Sequence, residues 1–264
     1  MPVPTATESE HVLLQRDGPT TRLTLNRPDR YNALSLEVMT ELRETLERVG
    51  ADGTTQVIVL AGAGRGFSAG HDLSEMVGRE DGFYAALFEE CTRLMQTIPQ
   101  VPQPVIARVH GVATAAGCQL VAACDLAIAE EGARFGTPGV RIGLFCSTPM
   151  VPLSRAIGRK RALHMLLTGD LIDAATARDW GLVNDVVPPA ELDDAVDALA
   201  ARIAEASPRT VATGKTAFYR QIERDEGGAY ELATSVMAAN AATLDAQEGM
   251  GAFVEKRRPV WREG

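Results

Sequence analysis

The chain has 264 residues, which is enough for one large domain or for a domain with an appendage. Its 45% hydrophobic and 23% charged residues are usual for a globular protein and exclude a disordered or fibrous composition. A net charge of −9 argues against general binding to nucleic acid or to an anionic membrane, so we expect neither partner.

The four cysteines are not spaced as metal ligands and predict buried free thiols, which indicates a reducing compartment. No cluster of His, Cys, Asp and Glu has the spacing of a metal site, and no apolar run approaches the roughly 20 residues that span a bilayer. Residues 1–10 lack a basic and an apolar region, so we expect a flexible tail without a secretory signal, and a cytoplasmic protein. The cysteines are Cys91, Cys118, Cys124 and Cys146.

Strands and helices alternate in the first half of the chain, which predicts an α/β fold. A helix from Ser35, its N-terminal cap, to Val49 is predicted, and Pro99, Pro102 and Pro104 are expected to separate the next helix from the strand that follows it. The predicted strands are 11–16, 21–26, 56–60, 105–109 and 125–129, and the other predicted helices are 83–97 and 116–123.

The second half of the chain has a predominantly helical pattern. From Pro149 onward we expect one strand, at 182–187, and from Glu191 to the C-terminus nearly continuous helix. The apolar residues of this last part predict that one of its faces packs on the core or on another subunit.

Two loops carry the strongest functional pattern, residues 67–73 and 113–120. Each follows an apolar strand and passes through small residues into a predicted helix start. Small residues let a backbone approach a ligand closely, and a helix start exposes N–H groups with partial positive charge. If the two loops converge, they form an oxyanion hole.

Two other readings of the first loop are weaker. Residues 66–70 match the G-x-S-x-G motif of serine hydrolases, with Ser68 as nucleophile and His110 or His164 as base. However, residues 61–66 separate Ser68 from the preceding strand, whereas the motif requires a turn directly after it. The Gly64-x-Gly66-x-x-Ala69 pattern imitates a dinucleotide site but also begins too late after the strand.

A series of short segments in fixed order resembles the crotonase (enoyl-CoA hydratase/isomerase) superfamily over nearly the whole chain. This resemblance implies a spiral of ββα units over residues 11–200 and a helical trimerisation region over 201–264, in a homotrimer or homohexamer. It also implies a lyase of fatty acid metabolism that acts on an acyl-coenzyme A thioester, with coenzyme A as part of the substrate and no further cofactor. The segments are 25–28, 32–34, 67–73, 117–118, 124–126, 135–138, 167–169, 181–183, 248–249 and 252–257.

Site residues follow from the same resemblance. The N–H groups of His71 and Ala116 are the implied oxyanion donors, and the His71 ring could in addition donate to the thioester or to a leaving carboxylate. Four residues are implied to contact coenzyme A: Ala69 and Leu73 near the adenine, and Arg30 and Lys256 at phosphates, Lys256 from a neighbouring subunit.

The chain departs from the family at its catalytic acids. The two glutamates of the hydratases correspond to Gln119 and Gly139, and Ser147 stands near the place of the isomerase carboxylate. None of these residues can act as a carboxylate acid or base, although Gln119 can orient water. The segments 139–140 and 143–149 resemble a subgroup of "enoyl-CoA hydratase domain-containing" proteins without the usual glutamates.

The departures count against two-glutamate hydration and leave several functions open. One is a reaction that needs enolate stabilisation, such as decarboxylation of a malonyl-type thioester. Another is thioester hydrolysis with water held by Gln119, Ser147 or His71. A third is a non-catalytic acyl-CoA-binding scaffold.

Overall fold

The first half of the chain alternates between strands and helices, as the sequence predicts. The computed structural model describes residues 11–262, so the predicted tail at 1–10 lies outside the described residues. In chain order the elements are β1 (Val12–Asp17), β2 (Thr20–Leu25), α1 (Leu36–Ala51), β3 (Val57–Gly62), α2 (Leu73–Met76), α3 (Asp81–Gln100), β4 (Val105–Val109), β5 (Val112–Thr114), α4 (Ala116–Ala123), β6 (Leu126–Glu130) and β7 (Arg134–Gly136).

The second half is mainly helical, which also agrees with the sequence. Its elements are α5 (Met150–Ile157), α6 (Arg159–Thr168), β8 (Leu171–Asp173), α7 (Ala174–Trp180), β9 (Asp185–Val187), α8 (Leu192–Ala204), α9 (Pro208–Gln221), α10 (Glu226–Ala241) and α11 (Leu244–Glu255).

The strands form two sheets, and the chain passes from the larger to the smaller sheet between β4 and β5 and again between β6 and β7. The larger sheet has the order β1-β2-β3-β4-β6-β9 and is parallel from β2 onward, whereas β1 pairs antiparallel with β2. The smaller sheet has the order β5-β7-β8. The sequences β4-β5-α4 and β6-β7 are successive turns of the spiral of ββα units that the resemblance implies.

The larger sheet is covered on both faces, which explains why β3 is buried along its whole length. The main core includes the inner faces of α1, α3 and α4. On the opposite face, Val59 and Ile106 pack against Leu192 and Val196 of α8. The predicted boundary between residues 200 and 201 falls within this helix.

Some element boundaries differ from the predictions. The three-residue strands β5, β7 and β8 were not predicted, because three residues are too few to show a periodicity. Helix α3 continues through Pro99 to Gln100: proline removes only its own N–H donor, and the N–H of Val101 still reaches the carbonyl of Thr97 at 3.0 Å. Strand β9 begins at Asp185 rather than at residue 182.

A buried ion pair connects α9 to the core. The Lys215 Nζ atom lies 2.7 Å from Asp125 Oδ2 and donates to the carbonyls of Ile98 and Gln103 at 2.8 and 2.7 Å. The Tyr219 hydroxyl donates to the other oxygen of Asp125 at 2.7 Å. Burial lowers the pKa of Lys215, and the charge of Asp125 opposes that effect. Lys215 and Tyr219 of α9 thus share Asp125 as a partner, which anchors α9 to the core.

Candidate active site

The two loops singled out in the sequence lie side by side and are hydrogen-bonded to each other. The N–H of Phe67 donates to the carbonyl of His110 at 2.9 Å, and that of Ser68 to Val112 at 3.1 Å. The N–H of Thr114 returns to the carbonyl of Ser68 at 3.0 Å. A short parallel ladder thus leads both segments in the same direction, toward His71 and Ala116.

The backbone N–H of His71 has no acceptor within the described residues. Leu34 forms a parallel bridge here, in which its N–H donates to Gly70 at 2.8 Å and its carbonyl accepts from Asp72 at 3.2 Å. Because alternate residues of an extended strand direct their N–H groups to opposite sides, the N–H of His71 points away from Leu34.

The N–H of Ala116 likewise has no acceptor among residues 11–262, because Ala116 is the first residue of α4 and a helix start has no preceding carbonyl to bind. The residue before it, Ala115, has φ 50° and ψ −117°, which is unusual for a residue with a Cβ. Its N–H donates to the carbonyl of Gly136 at 2.8 Å, which helps to hold this strained conformation.

Glycine at position 70 lets the two segments approach each other. Gly70 has φ +92°, and a Cβ there would stand 2.7 Å from Ala115 Cβ and 3.0 Å from the nitrogen of Ala116. Gly117 is confined in the same way, since its Cβ would stand 2.2 Å from the carbonyl oxygen of Ser68. The close packing of these glycines brings His71 next to Ala116.

Both N–H groups belong to residues that line one cavity of about 560 Å³. Arg141 is the one lining residue with a full charge at neutral pH, and no lining residue is an aspartate or a glutamate. The cavity therefore offers an apolar wall and two backbone donors, but no carboxylate. The lining residues are Ala69, His71, Leu73, Phe88, Ala115, Ala116, Pro138, Gly139, Arg141, Ile142, Leu144, Phe145, Cys146, Ser147, Thr148 and Pro149.

The His71 ring is part of the apolar wall and is held neutral. It packs edge-on against Phe88, with ring centroids 5.4 Å apart, and neither ring nitrogen has a hydrogen-bond partner among the residues that the structure describes. Burial lowers the pKa of His71 to about 4, and the nearby backbone of Leu34 opposes this effect only in part. At neutral pH the ring is consequently uncharged.

The three residues at the positions of the family's carboxylates occupy different environments. Gln119 is buried in α4 and accepts a hydrogen bond from Cys91 Sγ at 3.6 Å, but it is not part of the cavity wall. Ser147 lines the cavity and is exposed, with its N–H 2.7 Å from the carbonyl of Phe145.

Gly139 lines the cavity but has no room for a side chain. A Cβ there would stand 2.1 Å from the carbonyl oxygen of Leu144 and 2.8 Å from the sulfur of Cys146. The N–H of Leu144 in turn donates to the carbonyl of Gly139 at 3.0 Å. The segment after Gly139 therefore folds back over the place where a glutamate side chain would begin.

The residues implied to contact coenzyme A are divided between the cavity and the surface. Ala69 and Leu73 line the cavity. Arg30 lies outside it, where it donates to Ser74 Oγ at 3.2 Å with most of its side chain exposed. Lys256 follows α11 in a left-handed conformation, with φ 57°, and is exposed.

Ser68 is not placed as a nucleophile. Its side chain is fully buried, its hydroxyl donates to the carbonyl of Asn32 at 2.9 Å, and it accepts from the N–H of Gly70 at 3.2 Å. The ring of His110, a possible base, is hydrogen-bonded to Gly64 and Arg108 and not to Ser68. The G-x-S-x-G pattern is thus a structural feature of the loop.

Sequence reasoning assigned no role to Asn32, which organises the first loop. Its side-chain nitrogen donates to the carbonyls of Ala63 and Gly66 at 2.9 and 2.8 Å, and its side-chain oxygen accepts from the N–H of Arg27 at 2.9 Å. Its signal in the sequence was its place as the first residue of the segment 32–34, which resembles the family. Phe88 of the cavity wall had no signal, because it lies on a helix distant in sequence.

The cysteines do not form a metal or disulfide site in the described part of the chain. All four cysteines are free and buried, as predicted, and burial raises the pKa of Cys91 and Cys118 to about 12. Within residues 11–262 no three His, Cys, Asp or Glu side chains are grouped so as to hold a metal ion. No helix of that stretch is long and apolar enough to cross a membrane.

Comparison with known proteins gives full-length matches. The family model "Enoyl-CoA hydratase/isomerase" matches residues 18–264. The chain is 44% identical over 262 residues to "Enoyl-CoA hydratase domain-containing protein 3, mitochondrial" of Rattus norvegicus, covering 98% of the chain and 87% of that protein. It is 35% identical over 256 residues to a "Probable enoyl-CoA hydratase" of Rhizobium meliloti, covering 96% of the chain and 98% of that protein.

Solved structures of enoyl-CoA hydratase-type proteins also match nearly the whole chain. The chain is 49% identical to an enoyl-CoA hydratase of Mycobacterium smegmatis, with a TM-score of 0.94 over 96% of this chain and 99% of the other. For human enoyl-CoA hydratase domain-containing protein 3 the identity is 42% and the TM-score 0.93, over 96% of this chain and 100% of the other.

The prediction of a cytoplasmic protein is wrong by this comparison, because the vertebrate relatives are named as mitochondrial proteins. A compartment cannot be derived from composition, since cytoplasm and mitochondrial matrix both keep thiols reduced. The fold and the family are those that the sequence segments imply. The chain has the crotonase fold and belongs to the enoyl-CoA hydratase/isomerase family.

Proposed function

We propose that the chain binds an acyl-coenzyme A thioester with its carbonyl oxygen between the N–H groups of His71 and Ala116. The observation that carries the proposal is that both groups lack an acceptor in the described part of the chain and belong to residues of one apolar cavity. Donors fixed in this way stabilise the negative charge of an enolate more than that of the ground-state carbonyl. The partial positive charge at the start of α4 adds to the effect at Ala116.

The coenzyme A part is proposed to run from the cavity past Ala69 and Leu73 to the surface. Arg30 and Lys256 are exposed cations that could bind its phosphates, Lys256 at the site of a neighbouring copy. A trimer or hexamer is supported by the exposed apolar surface of the C-terminal helices. No residue of α9 or α10 is buried as a whole, although the ion-paired end of Lys215 is, and in α11 Phe253 is 85% exposed.

The chemistry proposed is enolate stabilisation without a carboxylate acid or base. Hydration by two glutamates needs groups that no cavity-lining residue supplies. Decarboxylation of a malonyl-type thioester is the best-supported specific reaction, because cleavage of the bond to the carboxylate leaves its electron pair in the enolate. Carbon dioxide departs, and the enolate takes a proton from water. Thioester hydrolysis, with water near Ser147, is the second candidate.

Product analysis by mass spectrometry tests the proposal. The purified protein is incubated with crotonyl-, malonyl-, methylmalonyl- and longer acyl-CoA thioesters, and binding is measured by calorimetry. We expect saturable binding, loss of carbon dioxide from a malonyl-type thioester and no hydration of crotonyl-CoA. An absence of saturable thioester binding would refute the proposal. Binding without turnover on any substrate would instead favour the non-catalytic scaffold.

Ala116→Pro removes one proposed donor at the first residue of a helix, where proline is tolerated. Because the φ of 50° at Ala115 is unfavourable before proline, circular dichroism checks that the variant keeps the fold. We expect turnover to fall by a factor of about 100 or more, as for loss of an oxyanion donor in other enzymes. Glu226→Pro is the control, since Glu226 is the first residue of α10 and does not line the cavity. Equal activity of both variants would contradict the role of the Ala116 N–H.

A further inference from the structure

His110, which does not line the apolar cavity, forms hydrogen bonds to the first loop at two points. Its backbone carbonyl accepts from the N–H of Phe67 at 2.9 Å. Its ring nitrogen Nε2 lies 2.9 Å from the carbonyl oxygen of Gly64. His110 itself begins the second segment of the ladder, which continues through Val112 and Thr114. His110 therefore joins the two segments where they begin. One of these segments leads to His71 and the other to Ala116.

The partners of the ring define its protonation. A carbonyl oxygen can only accept, so Nε2 carries a hydrogen and donates to Gly64. A guanidinium can only donate, so Nδ1 accepts from Arg108 Nη1, at 3.2 Å, with its lone pair. The ring is thus the neutral Nε2–H tautomer and uses both nitrogens in hydrogen bonds.

Arg108 is in turn fixed by a carboxylate of α8. Its Nε and Nη2 atoms each lie 2.8 Å from one oxygen of Asp193, a bidentate pair. Arg22 of β2 also donates to Asp193, at 2.6 Å, and to Asp197 at 2.9 Å. The Arg108 guanidinium, together with Arg22, holds the pKa of Asp193 well below its usual range. This network lines a polar cavity of about 320 Å³ that shares no residue with the apolar cavity.

The ladder that follows His110 is too tightly packed to absorb a shift at its start. A Cβ on Gly111 would stand 2.2 Å from the carbonyl oxygen of Arg65 and 2.9 Å from Gly66 Cα. At the other end, a Cβ on Gly70 would stand 2.7 Å from Ala115 Cβ. A displacement of one segment at His110 would therefore be transmitted along the ladder to the two donors.

We propose that His110 is a positioning residue, which sets the separation of the His71 and Ala116 N–H groups through its bonds to Gly64 and Phe67. Asp193 fixes Arg108, and Arg108 in turn holds the His110 ring in position. The inference rests on the proposed function, because it assigns the network a role in keeping those two donors aligned. No residue of the network touches the apolar cavity, so the network would affect carbonyl polarisation rather than ground-state affinity.

The test uses a coenzyme A thioester of a 4-aminocinnamic acid, whose absorption moves to longer wavelength when its carbonyl is polarised. The full-length protein should bind this probe and shift its absorption. His110→Leu removes both ring hydrogen bonds at similar volume. We expect it to bind the probe within about twofold of wild type but to lose roughly half or more of the shift, with turnover about tenfold lower, because donor alignment contributes to the transition state and little to binding.

His110→Gln is the conservative variant. Its side-chain amide can donate to Gly64 and accept from Arg108, so we expect it to keep most of the shift. His164→Leu controls for loss of a histidine elsewhere, since His164 is exposed and lies against Trp180. It should behave as wild type.

The outcomes separate the two proposals. A wild-type protein that binds the probe without a shift would overturn the proposed oxyanion hole itself. A normal wild-type shift that His110→Leu reproduces in full would overturn only the role of His110. If His110→Leu does not fold, Asp193→Asn decides, because it leaves the histidine in place and weakens the hold on Arg108. It should lose part of the shift, and an unchanged shift in Asp193→Asn would refute the inference.

Discussion

Gly139 packs against the backbone of Leu144, so that a Cβ at position 139 would stand 2.1 Å from the Leu144 carbonyl oxygen. Because of this contact, the chain differs from the hydratases here in more than the replacement of a glutamate by Gly139. The chain after Gly139 occupies the space in which the side chain of a glutamate would start, and the N–H of Leu144 is bonded to the carbonyl of Gly139. Restoring the glutamate would require the cavity wall to move.

Gly139→Ala should therefore destabilise the fold by more than ordinary overpacking, at about 3 kcal/mol or above, because the obstacle is backbone. Gly143→Ala is the matched control: Gly143 has φ +78° but open space around its Cβ direction, so it should cost only about 1 kcal/mol. Urea unfolding of both variants measures the difference. Equal losses would show that the Leu144 contact relaxes freely.

Gly139→Glu should not confer hydration of crotonyl-CoA, because the Leu144 backbone occupies the place of the new side chain.

Gly70→Ala should disrupt the proposed donor pair. Its Cβ would meet Ala115 Cβ at 2.7 Å and the Ala116 nitrogen at 3.0 Å, so the two segments must separate. We expect turnover to fall by about 100-fold, the scale of a lost oxyanion donor. Gly78→Ala has a similar positive φ, +71°, with nothing nearby, and should leave turnover unchanged. Turnover assays of both variants distinguish loss of donor alignment from backbone strain alone.

The neutral His71 ring should make stability depend on pH. Burial lowers its pKa from the ordinary 6.5 to about 4, so the unfolded chain binds this proton more readily than the folded chain. Stability should accordingly be lost as pH falls from 6.5 toward 4, by about 3 kcal/mol in total for this group. Urea unfolding at several pH values measures it, and His71→Phe should show a smaller dependence. An identical pH dependence in His71→Phe would contradict burial of the neutral ring.

The Lys215–Asp125 ion pair should be worth far more than a surface pair. Lys215→Met leaves the Asp125 charge and two carbonyls inside the protein with fewer donors, which should cost about 3–5 kcal/mol. The exposed pair of Arg155 and Glu223, at 3.0 Å, is the control, and Arg155→Met should cost below about 1 kcal/mol. Thermal or urea unfolding compares them. Similar losses would show that Lys215 is not an anchor of α9.

Much of the fold could be predicted because its signals are local. Helix α4 and strand β4 have the predicted bounds, since an apolar strand and a run of small helix-forming residues can be recognised within a few residues. Ser35 caps α1 as expected, accepting from the N–H of Val38 at 3.2 Å. Strands β5, β7 and β8 could not be found, because such short strands exist only through their partners.

The candidate site also has some features that the sequence predicts and others that it does not. The small residues around His71 and Ala116 predicted two helix or turn starts with free N–H groups, and the structure places both at one cavity. The position of Gln119 behind the cavity wall was not predictable, since only the orientation of α4 decides which of its faces meets the cavity. The tie between His110 and Gly64 joins residues 46 positions apart and has no local signal.

The sequence by itself determined the family, the fold and the absence of glutamates at positions 119 and 139, because these depend on residue identities in a fixed order. The tertiary structure alone decided that Gly139 has no room for a side chain, that the His71 ring is buried against Phe88 and that His110 is hydrogen-bonded to Gly64 and Phe67. Each of these depends on which atoms of distant segments come within contact distance. Packing of that kind is set by the three-dimensional arrangement as a whole and is not encoded in any single segment.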